Sequence, residues 1–215
     1  MHIPDGFLSP QTYLPAYALC AGLWWVCMGR LRATLDEETL PFVAVLTALS
    51  FVLMMVAIPL PGGTTAHAAG IALLAVSFGV WMAFLAVSLV LAMQALLFGD
   101  GGVTALSVNA LAMGFLGSLS AWAAWRLLRP VHEGTALFLA GWLSVALPAL
   151  VVALVLGIQP AIAQDAAGKP LFFPFDLAVT LPAVLIPHAL VGLGEGALTW
   201  LGHRYLTRMR ARHAS

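Results

Sequence analysis

The sequence predicts an all-α protein, a polytopic bundle of transmembrane helices. Of its 215 residues, 62% are hydrophobic and only 8% are charged, whereas a water-soluble domain carries about a quarter charged residues. Apolar runs of roughly 20 residues recur along the chain, the length that an α-helix needs to cross the hydrocarbon core. The sequence lacks strands of alternating apolar and polar residues, so the pattern favours helices over a closed barrel.

Seven apolar segments are candidate spans, and we expect them to form one integral-membrane domain over residues 1–215. The third and fourth segments lie in a single apolar run, which could instead form one long helix. The expected spans are about 11–29, 41–58, 67–80, 81–98, 103–128, 135–157 and 177–203.

The positions of the basic residues decide between six and seven spans. The eight arginines form three clusters: Arg30 and Arg32; Arg126 and Arg129; Arg204, Arg208, Arg210 and Arg212. With seven spans and the N-terminus outside, every arginine lies in the cytoplasm and only Lys169 lies outside, as the positive-inside rule requires. With six spans, the second cluster would lie on the opposite side from the first. The charges therefore predict seven spans and a cytoplasmic C-terminus.

Met1 and His2 form a candidate chelator. The α-amine of Met1, the backbone nitrogen of His2 and an imidazole nitrogen can close two small rings on one divalent cation. Because the chain does not start with a signal-peptide pattern, we expect Met1 to remain the terminus. Prolines, a glycine and two large apolar residues around Asp5 predict an ordered, turn-rich segment over residues 1–10 rather than a frayed end.

His67 is the second candidate ligand, and the predicted topology places it on the same side of the membrane as the N-terminus. It follows the sequence Pro-Gly-Gly-Thr-Thr-Ala, in which Thr64 or Thr65 can cap the next helix. Alternatively, His67 is a residue at the start of a helix that binds a neighbouring carbonyl. An all-nitrogen ligand set with a deprotonated amide favours square-planar geometry, which suits Ni(II) or Cu(II), with Co(II) possible.

Two further polar residues lie near the expected outer ends of the spans. Asp100 stands in a glycine-rich turn, and Asn109 stands about two turns inside a span, where an unpaired amide is costly. Asp5, Asp100 and Asn109 are therefore candidates for orienting the metal-binding residues. A purely structural hydrogen bond between helices is the alternative for Asn109.

His188 and Glu195 are seven residues apart and so lie on one face of the last span. Glu195 is the only acid inside an expected span, which makes it a functional candidate. We expect it toward the cytoplasmic end, far from the metal site, with a partner-contact or gating role; a structural pair with another helix is the alternative. An intramembrane metal-dependent enzyme would use both residues, but it would need a third ligand at the same depth, and the sequence indicates none.

Other functional classes are disfavoured. The formal net charge is zero and no basic tract faces water, so we expect no nucleic-acid partner. A retinal photoreceptor would need a lysine within a span, and no expected span contains one.

The segments discussed above resemble the CbiM/NikM family, the substrate-binding subunits of energy-coupling-factor cobalt and nickel uptake transporters. The resemblance is carried by Met-His-Ile-Pro-Asp-Gly-Phe-Leu-Ser-Pro at the N-terminus and by residues 61–67, 94–109 and 188–196. It implies a seven-helix subunit of the bacterial inner membrane in which the Met1 amine, the His2 amide and imidazole nitrogens and the His67 imidazole hold Ni²⁺ or Co²⁺ as the transport substrate. The form of the N-terminal motif favours the nickel branch.

The resemblance also implies partners: a transmembrane coupling subunit, cytoplasmic ATPase subunits and often a small accessory membrane protein. ATP hydrolysis is expected on those partners. The chain itself has no Gly-x-x-x-x-Gly-Lys-Ser/Thr phosphate loop, in agreement with this division. It is therefore predicted to be a transporter subunit with no catalytic residues and no catalytic cofactor.

Overall fold

The computed structural model describes residues 1–32, 36–59 and 65–213, and most of them are helical. The elements in chain order are α1 (Pro10–Leu31), α2 (Thr39–Met55), β1 (Ile58–Pro59), β2 (Thr65–Ala66), α3 (Ile71–Phe78), α4 (Val80–Met93), a π-helix (Gln94–Phe98), α5 (Leu106–Asn109), a second π-helix (Ala110–Gly117), α6 (Ser118–Leu128), α7 (Glu133–Gly157), α8 (Gln159–Ile162) and α9 (Leu177–His213). The two short strands pair antiparallel.

Five helical segments of the described chain are long and apolar enough to cross a membrane. They are Pro10–Leu31, Val80–Phe98, Leu106–Leu128, Glu133–Ile162 and Leu177–Met209. The apolar helix α2 is shorter, with 17 residues. The structure thus confirms a helical protein with several membrane-spanning segments, while seven spans and the orientation of the termini stay predictions.

The third predicted span differs most from the structure. Its helix, expected over 67–80, is reduced to the eight residues of α3. Gly70 (φ +66°) and Gly79 (φ +83°) adopt left-handed backbone conformations that bound it. Thr65 lies in β2 and does not cap this helix, and Thr64 lies outside the described residues. Because eight residues extend only about 12 Å, α3 is too short to cross the bilayer.

Two π-helices flank the turn at 99–105. Gln94–Phe98 continues α4, and Ala110–Gly117 joins α5 to α6. Wide turns of this kind often occur at functional sites. Regular α-helix geometry is therefore interrupted on both sides of residues 99–109.

Glycines bring α7 and α9 into close contact. A Cβ at Gly141 would lie 2.6 Å from the backbone oxygen of Glu195, and one at Gly196 would lie 2.7 Å from the backbone oxygen of Phe138. Backbones can approach this closely only where side chains are absent, a common means of packing helices in lipid. The pairing fixes the middle of α9, including Glu195, against α7.

Arginines from two of the predicted clusters meet at one end of the bundle. Arg129, Arg204 and Arg208 line one cavity of about 700 Å³ beyond the turn between α6 and α7. Arg129 stacks over Trp125 at 5.8 Å and Arg204 over Trp200 at 5.2 Å. The second and third arginine clusters therefore share one end of the bundle, as the predicted topology requires.

Candidate metal centre

Five of the first nine residues are buried, namely Met1, His2, Ile3, Leu8 and Ser9, although the segment forms neither helix nor strand. The side chains of Met1 and Ile3 have no exposed area, and Leu8 is only 2% exposed. α1 begins at Pro10, where the fixed ring geometry suits the first turn of a helix. The metal-binding role predicted for residues 1–10 stays a prediction.

The Asn109 side chain makes hydrogen bonds to both backbone polar groups of Ile3, the N–H and the carbonyl oxygen. Its Oδ1 accepts a hydrogen bond from the Ile3 N–H (3.0 Å), and its Nδ2 donates to the Ile3 oxygen (3.1 Å). The Gly102 N–H donates to the same oxygen at 2.9 Å. Asn109 thus contacts the residue next to His2. This contact fits one of the two roles that the sequence suggested for Asn109, the orientation of the metal-binding residues.

Asp5 fixes the segment to the turn that precedes α5. Its carboxylate accepts hydrogen bonds from the Val103 N–H (3.1 Å), the Thr104 N–H (2.8 Å) and the Thr104 hydroxyl (2.5 Å). These bonds, chiefly that from the Thr104 hydroxyl, lower the pKa of Asp5. A Cβ at Gly102 would lie 2.7 Å from the Pro4 carbonyl carbon, so the segment can lie this close only to a glycine.

Sequence reasoning missed two anchors, Gln159 and Phe173. Gln159 Oε1 accepts a hydrogen bond from the Ser9 N–H (3.0 Å), while its Nε2 donates to the Thr12 hydroxyl (3.1 Å). The Phe173 N–H donates to the Phe7 oxygen (3.3 Å), and the two rings lie 5.3 Å apart. A glutamine directly after an apolar run was a signal that the sequence offered for Gln159. Phe173 contributes only its backbone N–H, so its side chain gives no sequence signal for this contact.

The Met1 amine lies beside β2 and His67. It contacts the Thr65 carbonyl oxygen and lies 3.2 Å from the Thr65 hydroxyl and 3.5 Å from His67 Nε2. His67 Nδ1 is 3.2 Å from the Ala68 oxygen, which can only accept, so Nδ1 carries the proton. His67 therefore binds a neighbouring carbonyl, as one interpretation predicted, and the same bond leaves the Nε2 lone pair facing the amine.

Burial keeps these nitrogens uncharged. It lowers the pKa of the Met1 amine to about 4, against a small opposing effect of the Asp100 charge. Burial is also the main reason that the pKa of His2 is lowered and that of His67 lies well below its usual value. At pH 7 all three groups are therefore neutral and have lone pairs available, which metal ligation requires.

The His2 side chain lies between the His67 ring and the Asp100 carboxylate. Its ring stacks on that of His67, with centroids 4.7 Å apart and planes inclined by 23°. Its Nδ1 lies 3.1 Å from Asp100 Oδ1, and its buried Nε2 has no hydrogen-bond partner in the described structure. The hydrogen bond from His2 lowers the pKa of Asp100. A chelate that includes the His2 backbone nitrogen needs Nδ1, the same nitrogen that lies beside Asp100.

Side chains alone do not supply a full ligand set. Within the described residues, no group of three or more His, Cys, Asp or Glu side chains is arranged to hold a metal ion. A cation at this place would therefore depend on main-chain nitrogen, namely the Met1 amine and the His2 amide, in addition to the two imidazoles.

Glu195 lies closer to this cluster than the sequence suggested. Its Oε2 accepts a hydrogen bond from the Ala69 N–H at 2.8 Å, two residues after His67. The expectation that Glu195 lies far from the candidate metal residues is therefore wrong. The physical reason is that residues 67–70 are not helical and continue into the bundle beside α9. His188, on the same helix, is close enough to His67 and the Met1 amine for their charges to interact.

Comparison with known proteins gives a consistent result. Residues 2–213 match the CbiM family, described as the cobalt uptake substrate-specific transmembrane region. The chain is 43% identical over 213 residues to the fused nickel transport protein NikMN of Rhodobacter capsulatus, which covers 94% of this chain and 61% of that protein. It is 41% identical over 213 residues to a protein of Lactiplantibacillus plantarum named probable fused nickel transport protein LarMN, covering 97% of this chain and 65% of that protein.

The chain thus spans under two thirds of the length of these fused relatives. A solved structure, described as a truncated transition metal transporter, superimposes with a TM-score of 0.94 at 37% identity, covering 97% of this chain and 99% of that chain. The family and the names of these relatives indicate a component of a metal transporter rather than an enzyme. With a family match over almost its whole length, the chain belongs to the CbiM family of integral membrane proteins for metal uptake.

Proposed function

We propose that the chain is the substrate-binding subunit of an energy-coupling-factor transporter that imports Ni²⁺ or Co²⁺. The observation that carries this proposal is the buried Met1 amine, 3.5 Å from His67 Nε2, with the His2 ring stacked on His67. The cation is held by the Met1 amine, the His2 amide nitrogen, His2 Nδ1 and His67 Nε2. Four nitrogens with a deprotonated amide favour a roughly square-planar arrangement.

The ligand chemistry selects among divalent cations. Mg²⁺ and Ca²⁺ prefer six or more oxygen ligands, and Zn²⁺ prefers a tetrahedral arrangement, so a planar nitrogen set disfavours all three. Ni²⁺ accepts this set readily, and Co²⁺ is its nearest competitor. The nickel names of the two relatives support Ni²⁺ as the preferred ion, whereas the family description names cobalt.

Binding requires two changes at His2. Nδ1 exchanges its contact with Asp100 for the cation while its proton moves to Nε2, and the amide loses its proton. The amine and His67 contribute without proton loss because burial already keeps them neutral. Asp100 retains a carboxylate near the cation, and Asn109 and Asp5 hold the segment in register.

Transport requires other subunits. We propose a transmembrane coupling subunit, cytoplasmic ATPase subunits that hydrolyse ATP, and a small accessory membrane protein, with the chain embedded in the bacterial inner membrane. Support comes from the two fused relatives, whose additional length has no counterpart in this chain. The intramembrane-enzyme interpretation of His188 and Glu195 is not retained, because the described residues offer no third side-chain ligand.

The first test moves the amine. One residue added before Met1 displaces the α-amine from His67 while leaving every side chain in place. We expect the dissociation constant for Ni²⁺, measured by isothermal titration calorimetry on the purified chain, to rise by roughly 100-fold or more, as loss of one of four ligands implies. The control carries one extra residue at the carboxyl end. Equal affinity of both extended chains would contradict the proposed ligand set.

A second variant tests the imidazole donor. His67→Ala is expected to weaken Ni²⁺ binding to a similar degree, roughly 100-fold. His132→Ala is the matched control, since His132 is exposed and caps α7 through a bond from the Thr135 N–H. Wild-type affinity in His67→Ala would remove His67 from the ligands.

A further inference from the structure

The peptide group between Ala68 and Ala69 makes a hydrogen bond at each end. Its carbonyl oxygen lies 3.2 Å from His67 Nδ1, the ring nitrogen that carries the proton. Its N–H donates to Glu195 Oε2 at 2.8 Å. Both side chains are buried, so water does not compete for either bond. The peptide group therefore links the carboxyl group of Glu195 on α9 to the imidazole ring of His67.

Helix packing fixes the backbone position of Glu195. A Cβ at Gly141 would lie 2.6 Å from the Glu195 backbone oxygen, so α9 lies directly against α7 at this point. The Thr199 hydroxyl donates to the same backbone oxygen at 2.8 Å. The Gly70 N–H adds a second backbone hydrogen bond to the Glu195 carboxyl group. The carboxyl group thus binds the non-helical segment 67–70 from a rigid position.

The proton position on His67 depends on the orientation of this peptide group. In a neutral imidazole, the hydrogen bond made by one nitrogen decides which of the two carries the proton. The Ala68 oxygen selects the Nδ1–H form, which leaves the Nε2 lone pair facing the Met1 amine. Rotation of the peptide plane would break this bond and the bond to Glu195 together. Linked hydrogen bonds also polarise one another, so the contact with Glu195 strengthens the carbonyl as an acceptor.

We propose that Glu195 is a positioning residue for His67 and acts through the Ala68–Ala69 peptide group. Its effect on metal binding rests on the proposed function. Metal-binding histidines typically donate their second N–H to a carboxylate or carbonyl, which fixes the ring and makes it a stronger ligand. Here a carbonyl fills that place, and a carboxyl group from another helix holds the carbonyl. This role also accounts for an acid inside a membrane bundle, where such residues are costly.

Two substitutions of Glu195 separate the acceptor from the volume of the side chain. Glu195→Leu fills a similar volume and offers no acceptor to the Ala69 N–H. Glu195→Gln keeps an acceptor oxygen at nearly the same place. Thr199→Val is the matched control, because it removes a buried hydrogen bond one turn further along α9 and leaves both bonds of the peptide group intact.

The first measurement is the tautomer of His67 in the metal-free chain. Nitrogen NMR of the ¹⁵N-histidine-labelled protein distinguishes the two forms, and His67→Ala identifies the His67 signals. We expect the Nδ1–H form in the wild type. In Glu195→Leu the ratio of the Nε2–H to the Nδ1–H form should rise by roughly fivefold, the change that one typical hydrogen bond produces. Glu195→Gln and Thr199→Val should retain the wild-type ratio.

The second measurement is the dissociation constant for Ni²⁺, obtained by calorimetry on the purified chain. Glu195→Leu should raise it by at least about tenfold, as loss of a contact that supports a metal ligand does. Glu195→Gln should stay within about threefold of the wild type, and Thr199→Val should match it.

Other outcomes overturn the inference. A raised dissociation constant with an unchanged tautomer in Glu195→Leu shows a general structural role, and wild-type values of both quantities show that His67 does not depend on Glu195. Equal losses in Glu195→Gln and Glu195→Leu exclude an acceptor contact.

Two further cases keep the test decisive. If Glu195→Leu cannot be purified as a folded protein, Glu195→Asp replaces it, since the shorter side chain withdraws the carboxyl group by one bond. Both quantities should then change in the same directions, and wild-type values would overturn the inference. A wild-type chain that binds neither Ni²⁺ nor Co²⁺ overturns the proposed function, whereas the NMR measurement still decides whether Glu195 positions His67.

Discussion

The first nine residues and the last turns of α9, from Trp200 onward, are stabilised in opposite ways. The first nine residues lack regular secondary structure, yet they are largely buried and bound by partners far along the chain, such as Asn109 and Gln159. The end of α9 is regular helix, and several of its side chains up to Met209, including Arg204 and Arg208, are exposed. Order in the first region therefore depends on tertiary hydrogen bonds, and order in the second depends on local backbone bonds.

The two regions also differ in charge. The N-terminal region places neutral nitrogens near the carboxylate of Asp100, which suits the capture of a cation. The end of α9 contributes to a cavity of about 700 Å³ that Arg129, Arg204 and Arg208 line. Fixed positive charge there disfavours a dication. The comparison teaches that the proposed metal ligands lie where tertiary contacts are dense, so substitutions there should affect binding and stability together.

Asn109→Ala should produce the largest effect. It removes both hydrogen bonds to Ile3 and leaves the buried Ile3 N–H without a partner, while the Ile3 oxygen keeps its bond from the Gly102 N–H; the loss costs about 2–3 kcal/mol of unfolding free energy. The melting temperature should fall by roughly 5–10 °C, and Ni²⁺ affinity by roughly 10–100-fold. Ser107→Ala is the control, since its hydroxyl makes only a long 3.4 Å bond to Tyr13. Equal effects of the two substitutions would refute the role of Asn109 as the anchor.

Asp5→Asn should have an intermediate, pH-dependent effect. Because the Thr104 hydrogen bonds lower the pKa of Asp5 from its usual 3.8, the folded protein binds this proton more weakly than the unfolded chain does. The carboxylate thus stabilises the fold above that pH, and the stabilisation is lost as the pH falls through the lowered value. Melting temperatures of wild type and Asp5→Asn should differ at pH 7 and converge as the pH falls below the lowered pKa of Asp5. Glu37→Gln, at an exposed acid before α2, is the control and should leave the melting temperature at pH 7 unchanged.

Arg204→Gln should have the smallest effect. The guanidinium stacks over Trp200 at 5.2 Å on the surface, an interaction worth about 0.5–1 kcal/mol. The melting temperature should fall by about 1–3 °C, and calorimetry should give an unchanged Ni²⁺ affinity. A tenfold loss of affinity would show that the two regions are energetically coupled, and the comparison would then fail. Arg204→Lys controls for the charge.

The sequence predicted the position of most helices and the meeting of the distant residues that matter most. Charge placement put His67 on the same side as Met1, and the structure brings their nitrogens to 3.5 Å. Arginine positions carry such information because they constrain topology independently of any packing detail. The membrane sides themselves stay predictions, as do the ligand roles of Met1, His2 and His67.

The errors have a common physical cause. An apolar run has the same composition whether it forms a transmembrane helix or an irregular segment inside a bundle. Residues 67–70 were therefore expected to be helical, and Glu195 was expected far from His67, although it binds the Ala69 N–H. The turning of His2 toward Asp100 depends on side-chain rotation, which no sequence period encodes.

The anchoring of residues 1–9 has a consequence for the order in which the protein forms. These residues are synthesised well before the groups that hold them in place, which belong to Asn109, Gln159 and Phe173. Closing loops of this length is entropically costly before the partners are in place. Residues 1–9 therefore lack their hydrogen-bond partners until most of the bundle has been synthesised. They are among the last parts of the chain to reach their native position.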